Sequence, residues 1–394
     1  MEAAKIHKIE DLFHIGNDKK IKKQEVRRLT APGENYGSLI LSVNLTVESS
    51  SGTEEIHSVV KMIPPNEFLQ KIFNTKVTFR NEIAFYKKIV PTLQKFQMEN
   101  GCPKIDFAPK YYGRRLNQQG EVDSNSALVL ENLVFDNYVT LERTGGLDFD
   151  VSRLIMKDLA QIHAVPLALK LKKPDVFEKE IKLYLANFGM DLELHSDMKN
   201  GIICIIDQID ELKPLKETIL KGFDNQMIPY EAREPFATFV HNDCWTNNAM
   251  IKYEGTKAVR SKIVDFQLCK YASPARDLVF FLFSSVKSQV LVEKYDELLK
   301  IYHGTFVKVL EDLKCDVSDF SYENLLKEID YEARNTQFAH VASMMIPIFA
   351  VNEEVVDIVD LQPEDMAAVA KNVTDLHKRR FVFVVNEFMK RNWL

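Results

Sequence analysis

No excess of positive charge, no long apolar run and no paired cysteines mark this sequence. Its 51 basic residues are outnumbered by 57 acidic ones, a formal net charge of -6, so the basic field that nucleic acid requires is missing. No run reaches the ~20 apolar residues of a spanning helix, and Met1 to Lys8 is polar, without an apolar signal core. Cys102, Cys204, Cys244, Cys269 and Cys315 are odd in number and form no C-x-x-C pair. These absences predict a reduced, cytoplasmic protein with no nucleic-acid, membrane or obligate protein partner. The glycosylation-type tripeptides at Asn44 and Asn372 then read as chance. Low-complexity linkers and internal repeats are absent too. What remains is a chain with 46% hydrophobic and 27% charged residues, ordinary for a globular enzyme, and 394 residues, enough for a large core split into two lobes.

The most informative stretch is Phe239 to Lys270. It contains His241-Asn242-Asp243, then Asn248, a strand, a polar turn, a second strand and Asp265-Phe266-Gln267. This is His-x-Asp-x4-Asn followed at hairpin distance by Asp-Phe-Gln. The spacing suits phosphoryl transfer. A nucleotide phosphate is polyanionic and needs Mg²⁺ held by hard oxygen donors, which the Asn248 amide and the Asp265 carboxylate supply. Asp243 can face an incoming hydroxyl and accept its proton, the division of labour that protein kinases use. A polar loop between two strands is the plain alternative for His-x-Asp-x4-Asn alone, and the strand ending in Asp265 argues against it.

Val240 to Asn248 and Ile263 to Gln267 resemble the small-molecule phosphotransferases of choline-kinase or aminoglycoside-kinase fold, and within them the ecdysteroid-kinase-like family. The resemblance spans nearly the whole chain and is strongest at this segment. Asn242 stands where many relatives have Gly, and Gln267 where protein kinases have Gly. The implied fold is α+β and two-lobed, protein-kinase-like, with an antiparallel β nucleotide lobe and hinge over residues 1–133 and a mostly helical catalytic and acceptor-binding lobe over 134–394.

In the first lobe, Lys22 to Thr30 and the well-alternating Leu39 to Val47 read as strands joined by a loop bearing Gly33 and Gly37. Such a loop can lay backbone amides over phosphates, and it can equally be an ordinary hairpin; the resemblance favours the former. Lys5 to Phe13 reads as a short amphipathic helix. Ile56 to Ile63 is a third strand carrying Lys61 among apolar residues. A lysine there is commonly an edge-strand charge, but the resemblance matches Lys61 to the residue that orients nucleotide phosphates. Val77 to Phe96 is a helix with a kink expected at Pro91, and the resemblance picks Glu82 as the ion-pair partner of Lys61. Lys110 to Leu116 and Ser126 to Leu133 read as strands, the second ending in a hinge whose backbone groups around Glu131 to Leu133 would meet adenine.

The second lobe is helical. Val151 to His163 should end at Pro166, with His163 a core histidine that braces the catalytic loop. Phe177, Ile181, Tyr184, Leu185 and Phe188 form a helical stripe, and Ile202 to Leu220 gives another helix, an insertion that in relatives helps to wall the acceptor site. Ser273 and Pro274 open a helix whose Leu278 to Phe283 is wholly apolar. A carboxylate at its start, Asp277, needs partners when buried, and backbone amides near His241 are the expected ones. Val290 to Leu313, Tyr322 to Phe349 and Pro363 to Asn392 complete the helical count.

The reading is an ATP- and Mg²⁺-dependent kinase acting on a small-molecule hydroxyl acceptor. Lys61 orients phosphates, Glu82 positions Lys61, Asn248 and Asp265 hold the metal, Asp243 serves the acceptor and His241 shapes the loop. No protein-kinase His-Arg-Asp or Ala-Pro-Glu segment is present, so a protein acceptor is disfavoured. The resemblance implies an ecdysteroid or a hydroxylated xenobiotic; choline or ethanolamine is the alternative, and a nucleotide-binding pseudokinase is the alternative of another class.

Overall fold

The computed structural model describes residues 6, 9–13, 19–29, 37–185, 192–349 and 373–394. Gly33, Phe188, the Pro363 end of the last expected helix and most of Lys5 to Ile9 lie outside the described residues. Only a single 3-10 turn, Ile9–Asp11, is described within that N-terminal segment.

Strands β1 (Lys20–Arg28), β2 (Leu39–Ser49), β3 (Gly52–Met62), β4 (Tyr111–Arg115) and β5 (Ala127–Glu131) form an antiparallel sheet in the order β1-β2-β3-β5-β4. Alternation decides which residues face inward. Leu41, Val43, Leu45 and Val47 of β2 join Val60, Ala127 and Val129 in one apolar cluster, covered by Ile9, Leu12 and Phe13. The other side of β5 sends Leu128 and Leu130 into the main core. The Ile9–Phe13 cover lies so close that a Cβ at residue 113 would stand 2.0 Å from the Leu12 carbonyl, which requires Gly113.

Between β3 and β4 run α1 (Glu67–Ile72), α2 (Thr75–Ala84) and α3 (Val90–Glu99), with a π-helical stretch at Phe85–Ile89. The expected kink at Pro91 takes this form: the chain widens into a π turn just ahead of the proline, which has no amide to continue the α ladder.

The second lobe is built around α4 (Phe149–Lys172). Pro166 does not end this helix, contrary to expectation. It lies inside it, buried among Val165, Leu167 and Ala168, and the neighbouring His163 carbonyl accepts the Thr238 hydroxyl at 3.0 Å. Burial of this stretch carries the helix through. α5 (Pro174–Glu180) follows. The single helix expected over Ile202 to Leu220 is two, α6 (Leu192–Asp207) and α7 (Lys216–Asp224), separated by turns over 208–212 and a 3-10 turn, Lys213–Leu215, that contains Pro214.

Next come β6 (Tyr138–Thr140), β8 (Ala249–Glu254) and β9 (Lys257–Ile263), one three-stranded sheet, and the pair β7 (Thr238–Val240) with β10 (Lys270–Ala272). Helix α8 (Ala275–Ser285) is buried along nearly all its length, and α9 (Ser288–Asp312) packs on α4. The expected helix over Tyr322 to Phe349 is α10 (Tyr322–Glu332) and α11 (Phe338–Phe349) joined by a π turn at Ala333–Gln337. A terminal helix, Asp375–Lys390, closes the lobe. Among the described residues no helix is long and apolar enough to cross a membrane.

Candidate active site

Lys61 reaches the site because strand alternation turns it to the face opposite Val60, toward α2. Glu82 meets it there, Nζ to Oε2 at 2.7 Å, with both side chains buried. The same ammonium lies 2.6 Å from Asp265 Oδ1. Three charged groups from β3, α2 and the turn after β9 thus converge. Burial, the largest influence, opposes the Lys61 charge, but the Asp265 and Glu82 carboxylates outweigh it and hold Lys61 above the usual lysine range. Burial pushes Glu82 up, the Lys61 charge counteracting only in part.

Asp265 turns back into the site because its backbone is left-handed, φ 68°, a conformation that Asp tolerates better than most residues. Phe266 then enters the core. It stacks on Phe85 at 3.7 Å between centroids and packs edge-on against His241 at 4.7 Å. Gln267 is buried beneath Gly37: a Cβ on that glycine would stand 2.8 Å from Gln267 Nε2. Gly37 is therefore packed on the Gln267 side chain, beside the Asp265 turn.

The catalytic loop is held from below. Asp277, fully buried at the start of α8, accepts the His241 amide through Oδ2 and the Asn242 amide through Oδ1, each at 2.7 Å. Its Oδ2 also accepts from His163 Nε2 at 3.0 Å, and His163 Nδ1 faces the Tyr302 hydroxyl at 2.9 Å. The expected bracing roles of His163 and Asp277 are both present. Burial alone would raise Asp277, but the His163 contact and the loop amide hold it below the ordinary carboxylate value.

His241 Nε2 donates to the Val264 carbonyl at 3.0 Å, and its Nδ1 accepts the Asp243 amide at 3.2 Å. This pattern sets the neutral Nε2–H tautomer, in keeping with burial holding its pKa below the usual histidine value. His241 thus ties the loop to the strand that delivers Asp265. Asn248 donates Nδ2 to the Asp243 carboxylate at 3.0 Å and to its carbonyl at 2.8 Å. Burial, then the Asp265 charge, push Asp243 well above the ordinary carboxylate range.

The donor set suits Mg²⁺. Asn248 uses its NH₂ on Asp243, which leaves its amide oxygen as the hard donor to present, and Asp265 already faces a cation in Lys61. Among the described residues there is no cluster of three or more His, Cys, Asp or Glu able to hold a metal.

At the hinge, two of the backbone amides are already paired. The Glu131 amide donates to the Lys110 carbonyl at 2.9 Å and the Asn132 amide to the His57 carbonyl at 3.2 Å, so neither is offered to a base. The Glu131 carboxylate pairs with Lys110 at 2.6 Å and lies 3.9 Å from Lys262 of β9, joining the two sheets. Leu133 is buried and opens a 3-10 turn after β5. The polar cluster around Arg276, Glu332 and Tyr230, beside the catalytic loop, was not legible in the sequence; the only signal was that Arg276 directly precedes Asp277.

A β-sheet lobe whose third strand offers a lysine to a helix glutamate, above a His-x-Asp-x4-Asn loop and an Asp-Phe-Gln turn, defines a protein-kinase-like phosphotransferase of the small-molecule kinase type. The chain belongs to the ecdysteroid kinase-like family, whose profile it matches over residues 32–315. Among solved structures it is similar to a microcompartment-associated aminopropanol kinase, at 9% identity and TM-score 0.44, covering 98% of this chain and 97% of that one. A Plasmodium vivax ethanolamine kinase is similar at 10% identity and TM-score 0.41, with 93% and 84% covered. A spectinomycin phosphotransferase, solved with ADP and spectinomycin, is similar at 10% identity and TM-score 0.40, with 88% and 93% covered. No match was found among curated protein sequences.

Proposed function

We propose that this protein transfers the γ-phosphoryl group of ATP to a hydroxyl of a small molecule, an ecdysteroid or a hydroxylated xenobiotic. The observation that carries the reading is the Lys61 ammonium held between Glu82 and Asp265, at 2.7 and 2.6 Å, by residues far apart in sequence. The steroid-like acceptor class rests on family membership.

Lys61, kept extended by Glu82, meets the nucleotide phosphates. Asn248 and Asp265 are the residues that would hold Mg²⁺, which when bound neutralises phosphate charge. Asp243 orients the acceptor hydroxyl. As the acceptor oxygen bonds to the γ-phosphorus, the bond to the β–γ bridging oxygen breaks, ADP leaves, and the hydroxyl proton passes to the Asp243 carboxylate. Gly37 lies on the phosphate side of the site, and the hinge beyond Glu131 faces the base with backbone groups other than the Glu131 and Asn132 amides.

The test is mass spectrometry of reactions with ATP, Mg²⁺ and a panel of ecdysteroids, hydroxylated plant and insecticide metabolites, choline, ethanolamine and aminoglycosides. A phosphate-mass gain on a steroid or xenobiotic, absent with Asp243→Asn, is expected. A gain on choline alone would overturn the acceptor class, and ATP bound but never consumed with any acceptor would overturn the kinase reading.

A further inference from the structure

Asn242 immediately precedes Asp243 and has a left-handed backbone, φ 63°. Such a residue stays in place only where its surroundings hold it. Both of its ends are held by the first turn of α8. Asp277 takes its amide at 2.7 Å, and Arg276 Nε donates to its side-chain Oδ1 at 3.4 Å. Two consecutive residues of one helix therefore grip the loop from two directions.

Arg276 is itself anchored on the far side. Its Nη1 donates to Glu332 Oε2 at 3.3 Å, and its guanidinium lies 4.6 Å from the Tyr230 ring centre. The Glu332 side chain is fully buried. Its carboxylate also accepts the Tyr230 hydroxyl at 2.8 Å and the Thr336 hydroxyl at 2.6 Å. With the Gln337 amide turned to satisfy its neighbours, Arg276 Nη2 donates to it at 3.2 Å. Glu332, Thr336 and Gln337 belong to the end of α10 and to the π turn that follows, a helix irregularity found often at functional sites. The planar, always-charged guanidinium joins this wall to the catalytic loop in a way that a lysine cannot reproduce.

We propose that Arg276 is a positioning residue for phosphoryl transfer: by holding the Asn242 side chain against the Glu332 wall, it fixes where the Asp243 carboxylate stands. This deepens the kinase reading above and rests on it for its catalytic consequence. The structural link itself does not.

Two variants separate positioning from folding. Arg276→Gln removes the fork, and Asn242→Gly removes the side-chain link while keeping a residue at ease with positive φ. Hydrogen exchange of the Phe239–Asn248 segment is measured first, without nucleotide or acceptor, so its outcome is independent of the kinase reading. Faster exchange there in both variants, with α4 unchanged, is expected; unchanged exchange in either overturns the link. With an acceptor from the panel, both variants should lose about 10–100-fold in kcat, the scale of a small misplacement, with the KM for ATP unchanged. Arg276→Lys should not rescue. The double variant should be no slower than the worse single one, since both cut one link. Multiplying losses, or a loss confined to KM, would overturn the positioning role. Altered exchange with no phosphoryl transfer to any acceptor by the wild type would overturn the kinase reading and leave the link standing.

Discussion

Lys61 lies 2.6 Å from Asp265 although 204 residues separate them. One ammonium thereby ties the roof of the cleft to the turn that delivers a metal-type carboxylate, with Glu82 as the second counter-ion. Removing the cation leaves two carboxylates facing each other. Breaking a buried pair in this way costs about 3–5 kcal/mol. Lys61→Met should therefore lower the denaturation midpoint of the free protein and also abolish the rise in Tm that Mg-ATP produces in the wild type. Glu82→Gln, which keeps the Lys61–Asp265 contact, should lose less stability. An unaltered nucleotide-induced shift in Lys61→Met would remove Lys61 from the nucleotide site.

On the proposed mechanism, Asp243 should set the pH dependence of turnover. The carboxylate must be ionised to accept a proton, and its pKa is raised, by burial first and Asp265 second. The acid limb of kcat/KM should therefore lie above the ordinary aspartate value of about 4, activity rising with pH as Asp243 loses its proton. Asp265→Asn should move the free-enzyme limb toward lower pH, where residual rate permits measurement by single-turnover assay. A limb at or below the ordinary value would contradict the environment described for Asp243.

Asp277 should matter to stability more than to nucleotide binding. Asp277→Ala leaves the His241 and Asn242 amides without an acceptor, at about 1–3 kcal/mol for each unsatisfied buried group, visible in urea unfolding. Its native pKa is depressed. Its contribution is therefore complete above the unfolded value near 4 and declines as pH falls from there through the lower native value. Asp277→Asn should show a shallower acid loss than wild type over that window; equal slopes would mean that Asp277 does not titrate as described.

The catalytic segment was legible because its chemistry is local. His241, Asp243, Asn248 and Asp265 fall within one loop and one hairpin, and among the five strands β2 announced itself by alternation and β5 by a short apolar run. Helix limits were less legible where proline stood. Apolar spacing continued through 208–215, where turns separate α6 from α7, and Pro166 suggested an end where the helix goes on. Around Pro166 tertiary burial decided, with Val165, Leu167 and Ala168 packed in the core. At the hinge, pairing across the sheet decided which backbone groups stay available, since the Glu131 amide is committed to Lys110.

The amino-acid sequence by itself determined which groups can carry the chemistry, because residue type sets charge, donor capacity and strand or helix preference. Tertiary structure alone decided which of them meet. It brought Lys61 between Glu82 and Asp265, His163 beneath Asp277, and Arg276 between Asn242 and Glu332. Hydrogen bonds and ion pairs act over a few ångströms, and contacts between residues so far apart along the chain exist only once the core has folded and set their distance.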